Sequence, residues 1–245
     1  MTTTSAEITT DSEVPPIRPD DLDPRRIVRR VTGRNRTKAD IVVYRSPRGQ
    51  FAVKDYAPRP WLVRNTLGRW LLRRECCAYA AAAGAPGLPR FRGRLGRFAF
   101  AVEWIDAEPL AASRAGDVEP ACFDRLLEIV EELHRRGVAL ADLNYRDVLL
   151  SDDGSVHVID LAAAWVLGER PGRIRRRLFA HFREADHFSV ARLRARFVGE
   201  ATSAAVSAAD PTVLAWHRRA RRIKWIWDKL RGAPRLPPVD DHWRF

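Results

Sequence analysis

The stretch Ala141-Asp-Leu-Asn-Tyr-Arg-Asp-Val-Leu-Leu150, continued by Ser151-Asp-Asp-Gly-Ser-Val-His-Val-Ile-Asp-Leu161, decides how this chain is to be read. Two apolar runs, Val148-Leu149-Leu150 and Val156-His157-Val158-Ile159, flank Asp152-Asp153-Gly154-Ser155, which predicts a β-hairpin. Asp152 and Asp153 belong to the turn, where Asp-Asp-Gly is ordinary chemistry. Asp147 stands just before the first strand and Asp160 just after the second, so pairing brings both to the same open end. Asp142, five residues before Asp147, can loop back to that end. Three carboxylates at one mouth repel each other unless a cation sits among them, and a divalent-metal and phosphate site is the physical reading.

A chain of 245 residues with 46% hydrophobic content can bury a sizeable core, as one large domain or as two small lobes. Residues 1–24 are polar, punctuated by Pro15, Pro16, Pro19 and Pro24, and are expected to form a disordered arm. They lack the basic start and apolar core of a secretory signal, and nowhere do 18 apolar residues run uninterrupted. Cys76, Cys77 and Cys122 have no metal-ligand spacing and read as small core residues in a reducing cytosol. The net charge of +12 comes from arginine, because Lys38, Lys54, Lys224 and Lys229 are the only lysines. Such an excess favours an anionic partner without choosing among phosphates, nucleic acid and lipid, and an arginine-biased genome gives the same composition.

From Arg25 to Tyr56 short extended segments alternate with turns: Ile27 to Val31, Ile41 to Arg45, then Phe51 to Tyr56 after Ser46-Pro47-Arg48-Gly49. A helix is expected over Trp61 to Ala83, closed by Gly84 and Pro86. Leu71, Glu75, Ala78 and Ala82 share one face of it, with Leu67 and Trp70 nearby. A carboxylate on an apolar face is costly unless a cation meets it. Lys54 on the third strand is a candidate partner, and Arg74 beside Glu75 is the other. Arg90 to Leu95 and Phe98 to Trp104 add two strands, for a five-stranded lobe over residues 25–105. Ile105 to Pro109 reads as a hinge, and residues 106–245 turn helical. There Pro120 starts a helix with Phe123, Leu126, Leu127, Val130 and Leu133 on one face, ended by Gly137.

Strand lysine, helix glutamate, hinge, helix, then Asp, Asp, hairpin, Asp is an order of parts that resembles the protein kinase-like superfamily over about Arg25 to Trp165. The resemblance implies an α+β, bilobal fold: a five-stranded sheet with one helix in the first lobe and a mainly helical second lobe. It further implies that Lys54 grips phosphates with Glu75 as its partner, that Asp142 is the catalytic base, and that Asp147 and Asp160 bind metal, with ATP and Mg²⁺ as cofactors. The loop Gly33-Arg-Asn-Arg-Thr-Lys38 offers one glycine, Gly33, where most such families have three, so Arg34, Arg36 or Lys38 can supplement it. Asp147 stands where asparagine is usual. Leu140-Ala141 replaces His-Arg, and Leu161-Ala162 replaces Phe-Gly.

Small size, the poor glycine loop and the basic helical tail resemble the bacterial lipopolysaccharide kinases of the Kdo/WaaP group and small RIO-like serine/threonine kinases. That implies transfer to a hydroxyl of a glycolipid core sugar or of a protein serine or threonine. A pseudokinase that binds nucleotide or a partner without turnover is the alternative, on the strength of Asp147 and the glycine-poor loop. A basic nucleic-acid-binding protein ranks last, since it leaves the ordered acids unexplained. In the tail, Trp216, Ile223, Trp227 and Leu230 form an apolar stripe edged by Arg218, Arg219, Arg222 and Lys229. That pattern suits either packing on the large lobe or peripheral contact with an anionic membrane from the cytoplasmic side.

Overall fold

The β-branched and aromatic runs between Ile27 and Glu103 pair as one antiparallel sheet in the computed structural model, which describes residues 17, 21–33, 37–47, 49–114 and 116–198. Its strands are β1 (Ile27–Val31), β2 (Asp40–Ser46), β3 (Gly49–Asp55), β4 (Phe91–Arg94) and β5 (Ala99–Glu103), in the order β1-β2-β3-β5-β4. The chain divides into two compact units. One runs to Gly84 and resumes over Pro89–Ile105; the other takes Ala85–Leu88 and everything from Asp106.

Strand alternation gives the sheet of the first unit two buried faces. Lys54 pairs with Phe100 and Ala52 with Val102, so these four share one face. The helical segment packs there, with Tyr79 stacked on Phe91 and tilted against Phe100. Phe51, Val53, Ala99 and Ala101 occupy the opposite face, where Ile17 is buried among them and Leu22 packs alongside. Within residues 1–24, expected as a disordered arm, Ile17 and Leu22 pack on this face. Four apolar side chains would otherwise face water on that side, and Ile17 covers them, its amide donating to the Arg92 carbonyl at 2.7 Å. Residues 1–16 and 18–20 of the arm, Arg34 and Arg36 in the first hairpin loop, and the Trp216 to Leu230 stripe lie outside the described residues.

The segment expected as one helix from Trp61 is α1 (Trp61–Val63), a π turn over Arg64–Gly68, and α2 (Arg69–Ala81). In the π turn the Arg69 amide donates to the Arg64 carbonyl, five residues back. That extra residue rotates the helix, so the buried face carries Leu72, Glu75, Cys76, Ala78 and Tyr79, while Leu71 is half-buried and Trp70 exposed. The turn forms against Gly68, whose Cα lies so close to Tyr56 that a Cβ would sit 3.2 Å from its ring.

In the second unit α3 (Pro120–Arg135) begins at Pro120, whose missing N–H costs nothing in the first turn. It buries Phe123, Leu126, Ile129, Val130 and Leu133, and Gly137 follows at a φ of 74°. The segment expected as a hinge contains β6 (Glu108–Pro109), paired antiparallel with the hairpin. After β7 (Val138–Ala139) come β8 (Val148–Leu150) and β9 (Val156–Val158), in the register Val148–Val158, Leu149–His157, Leu150–Val156. Next, β10 (Trp165–Val166) pairs with β7, and α4 (Arg173–Val198) packs on α3.

Gly87 joins the sequence-distant Ala85–Leu88 segment to this unit, its carbonyl accepting from the Val158 amide at 2.7 Å. Its φ is 72°, and a Cβ there would press on Ile129 and lie 3.0 Å from the Val156 carbonyl oxygen. Gly87→Ala is expected to destabilise the protein by about 2–4 kcal/mol, from left-handed strain plus overpacking. Urea unfolding checks this, and a loss below ~0.5 kcal/mol would show that the segment repacks freely.

Candidate active site

Glu75 is the most buried charged group of the first unit, 1% exposed on the inner face of α2. The Lys54 ammonium reaches it from β3 as a direct ion pair and stands 6.0 Å from the Phe100 ring centroid. Of the two partners open to Glu75 in the sequence, the strand lysine makes the bond. Arg74 turns instead over the ring of Trp70 at 5.3 Å, and burial lowers its pKa. A buried carboxylate and ammonium gain little over a well-packed apolar pair, so this arrangement holds a lysine at a fixed place more than it stabilises the fold.

Gly33 sits differently from the expectation of a phosphate cradle. Its amide donates to Asp40 Oδ1 at 2.8 Å, and the same oxygen takes the Arg59 guanidinium. A Cβ at Gly33 would fall 2.5 Å from the Lys38 carbonyl oxygen and 2.8 Å from that of Ala39. The glycine is therefore required by close backbone approach within its own loop, and its N–H is already bonded inside the protein.

In the second unit the loop after β7 is built around a residue that sequence reasoning missed. Asp186, 1% exposed on α4, accepts from the Leu140 amide at 2.8 Å on Oδ2 and from the Ala141 amide at 2.8 Å on Oδ1. His134 Nε2 of α3 lies 2.9 Å from Oδ2, while His134 Nδ1 finds no hydrogen-bond partner. Nε2 therefore carries the hydrogen toward Asp186. The clamp coincides with a left-handed Ala141, φ 64°, a conformation an alanine avoids unless its surroundings impose it. Asp142 follows directly, exposed, at a place in the loop set by these two bonds. Beside them the His187 ring stands 5.2 Å from that of His134, and its pKa is lowered, first by burial and then by His134.

The hairpin brings Asp147 and Asp160 to one end. The Ile159 amide donates to the Asp147 carbonyl at 2.8 Å, which extends the β8–β9 ladder past its last pair. Asp160 comes next with a φ of 72°, and its Oδ1 accepts from the Ala162 amide at 3.2 Å. Among the described residues no three His, Cys, Asp or Glu side chains gather into a metal cage, so Asp142, Asp147 and Asp160 do not converge as a closed trio. Uncompensated carboxylates repel, and a Mg²⁺ site of the nucleotide type needs only one or two of them, the rest of the shell being phosphate and water. Asp153 is a turn residue as expected: the Ser155 amide donates to it at 2.8 Å and lowers its pKa. Burial pushes the Cys76 thiol up to about 11, which excludes it as a nucleophile at neutral pH.

No protein-family model matches this sequence, nor does any curated protein. Among solved structures the chain is similar to the Rio2 kinase from Chaetomium thermophilum, with a TM-score of 0.52 and 16% sequence identity over 71% of this chain. The match spans 57% of that kinase's length. The five-stranded antiparallel sheet with its helix, followed by a mainly helical unit, is thus the protein kinase-like fold.

Proposed function

We propose that the protein is an ATP- and Mg²⁺-dependent phosphotransferase with a hydroxyl acceptor. The buried Lys54–Glu75 pair carries this reading, because it fixes a cation at a defined place for little net gain in stability. Two carboxylates at one hairpin end are a donor set suited to Mg²⁺ with nucleotide phosphates. Lys54, held by Glu75, binds the α- and β-phosphates. Asp147 and Asp160 would hold the metal, which when bound would supply positive charge to the transferred group. Asp142 orients the acceptor hydroxyl and takes its proton as the oxygen bonds to the γ-phosphorus and ADP leaves. Asp186 and His134 act through the backbone as positioning residues for Asp142. The acceptors that suit this reading are a lipopolysaccharide core sugar, as in the Kdo/WaaP kinases the sequence resembles, or a protein serine or threonine.

The internal bond of the Gly33 amide favours a second reading, a pseudokinase that binds nucleotide without turnover. One set of measurements separates the two. Saturating Mg·ATP should raise the unfolding midpoint by about 5–10 °C at a hundred times the dissociation constant, and chelator should abolish the rise. Asp160→Asn should lose the metal-dependent shift. Asp142→Asn should keep the shift and lose phosphoryl transfer by about 10²–10⁴-fold. A shift without transfer in the unmodified protein selects the pseudokinase, and no shift at millimolar Mg·ATP rejects both.

A further inference from the structure

The outer face of the π-turn helix presents large apolar side chains to water. Trp61 is 68% exposed, Leu62 66% and Trp70 55%. In a regular α-helix positions 62 and 70 lie about 80° apart. The extra residue of the π turn removes most of that offset, and the exposed positions run as one line through Leu62, Thr66, Trp70, Arg73, Cys77 and Ala80. Arg69 is exposed beside Trp70, and the Arg74 guanidinium stacks on the Trp70 ring. From Tyr56 to Arg74 the chain has five arginines and no aspartate or glutamate.

We propose that this face is a docking surface for an anionic lipid bilayer, with Trp61, Leu62 and Trp70 entering the headgroup layer and Arg69 and Arg73 meeting lipid phosphates. Tryptophan and leucine interleaved with arginine on a convex helix need no preformed groove, because fluid lipid closes around them. Charge decides against the other occupants. A second copy of this chain would set the exposed Arg69 and Arg73 against the same two arginines, and the tail around Trp216 to Arg231 is itself basic. A surface of negative charge with an apolar interior complements both properties of the face.

The test uses the full chain and no nucleotide, so its outcome is independent of phosphoryl transfer. Co-sedimentation with phosphatidylcholine vesicles is compared with vesicles in which about a third of the lipid is phosphatidylglycerol. Binding is expected only to the anionic vesicles. Arg69→Gln with Arg73→Gln should weaken it about thirtyfold, the equivalent of two basic contacts. Trp61→Ser, Leu62→Ser and Trp70→Ser together should weaken it by about tenfold or more. The unfolding midpoint of both variants should stay at the wild-type value, since every substituted side chain is exposed. Wild-type binding in the variants would place lipid contact elsewhere, on the tail for example, and overturn the proposal. Equal binding to neutral vesicles would overturn it too, as would binding to soluble polyglutamate with none to vesicles.

Discussion

An Asp186→Ala protein is expected to unfold about 3–5 kcal/mol more easily than the wild type, the loss seen when a buried charged acceptor is removed from its partners. The carboxylate is enclosed between α3 and α4 and accepts from the Leu140 and Ala141 amides, with His134 Nε2 as a third neighbour. Alanine removes the acceptor of all three donors at once. Against a native stability of about 5–15 kcal/mol this is a large fraction. Asp186→Asn keeps one oxygen and turns an amide N–H₂ toward a backbone N–H, so an intermediate loss is expected. The Ala141 conformation gives a second readout. Without the clamp two of the bonds that hold this loop are gone, and amide exchange at Leu140 to Leu143 should accelerate well beyond that of the α3 core. A loss under ~1 kcal/mol with unchanged exchange would show that the loop is held by other contacts.

Lys54→Met is expected to lose about 3–5 kcal/mol as well, because Glu75 keeps a buried carboxylate with its cation gone. The informative variant is the double one. Lys54→Met with Glu75→Leu replaces an ion pair by apolar groups beside Phe100, and stability should return to within about 1 kcal/mol of the wild type or exceed it. Nucleotide affinity should stay lost in both proteins. Recovery of stability without recovery of binding separates the functional purpose of the lysine from its structural one. Recovery of both would remove Lys54 from the proposed phosphate site.

Much of the fold was legible because local patterns were strong. The Asp-Asp-Gly-Ser turn between apolar runs gave β8 and β9, and Pro120 with its apolar spacing gave α3. Glu75 was legible because a carboxylate interrupted an apolar stripe. Asp186 carries the same signal, falling in line with Phe179, Phe182, Val190, Leu193 and Phe197 on α4. The arginines around Arg173 to Arg177 and Arg183 to Arg196 hide that stripe by making the helix look solvent-facing all round. Its partners, the two loop amides, also lie more than forty residues away. Ile17 was missed for another reason. An isolated apolar residue among prolines has no period to read, and only the finished sheet shows that it covers Phe51 and Val53. The π turn left no composition cue, since one extra residue in a helix is set by packing of Gly68 on Tyr56.

The Gly87 carbonyl that receives the Val158 amide has a consequence for how such a protein can be divided. The chain passes from the first unit to the second at Gly84, returns at Pro89, and leaves again at Ile105. A single cut at 105/106 would yield a second half lacking four residues that belong to it, with the Val158 amide of β9 deprived of its partner and Ile129 uncovered. The second half is therefore expected to need residues 85–88 supplied with it. Recombination at one crossover there would part the second half from the segment that pairs with its β9, so the two halves are expected to be exchanged only as one piece.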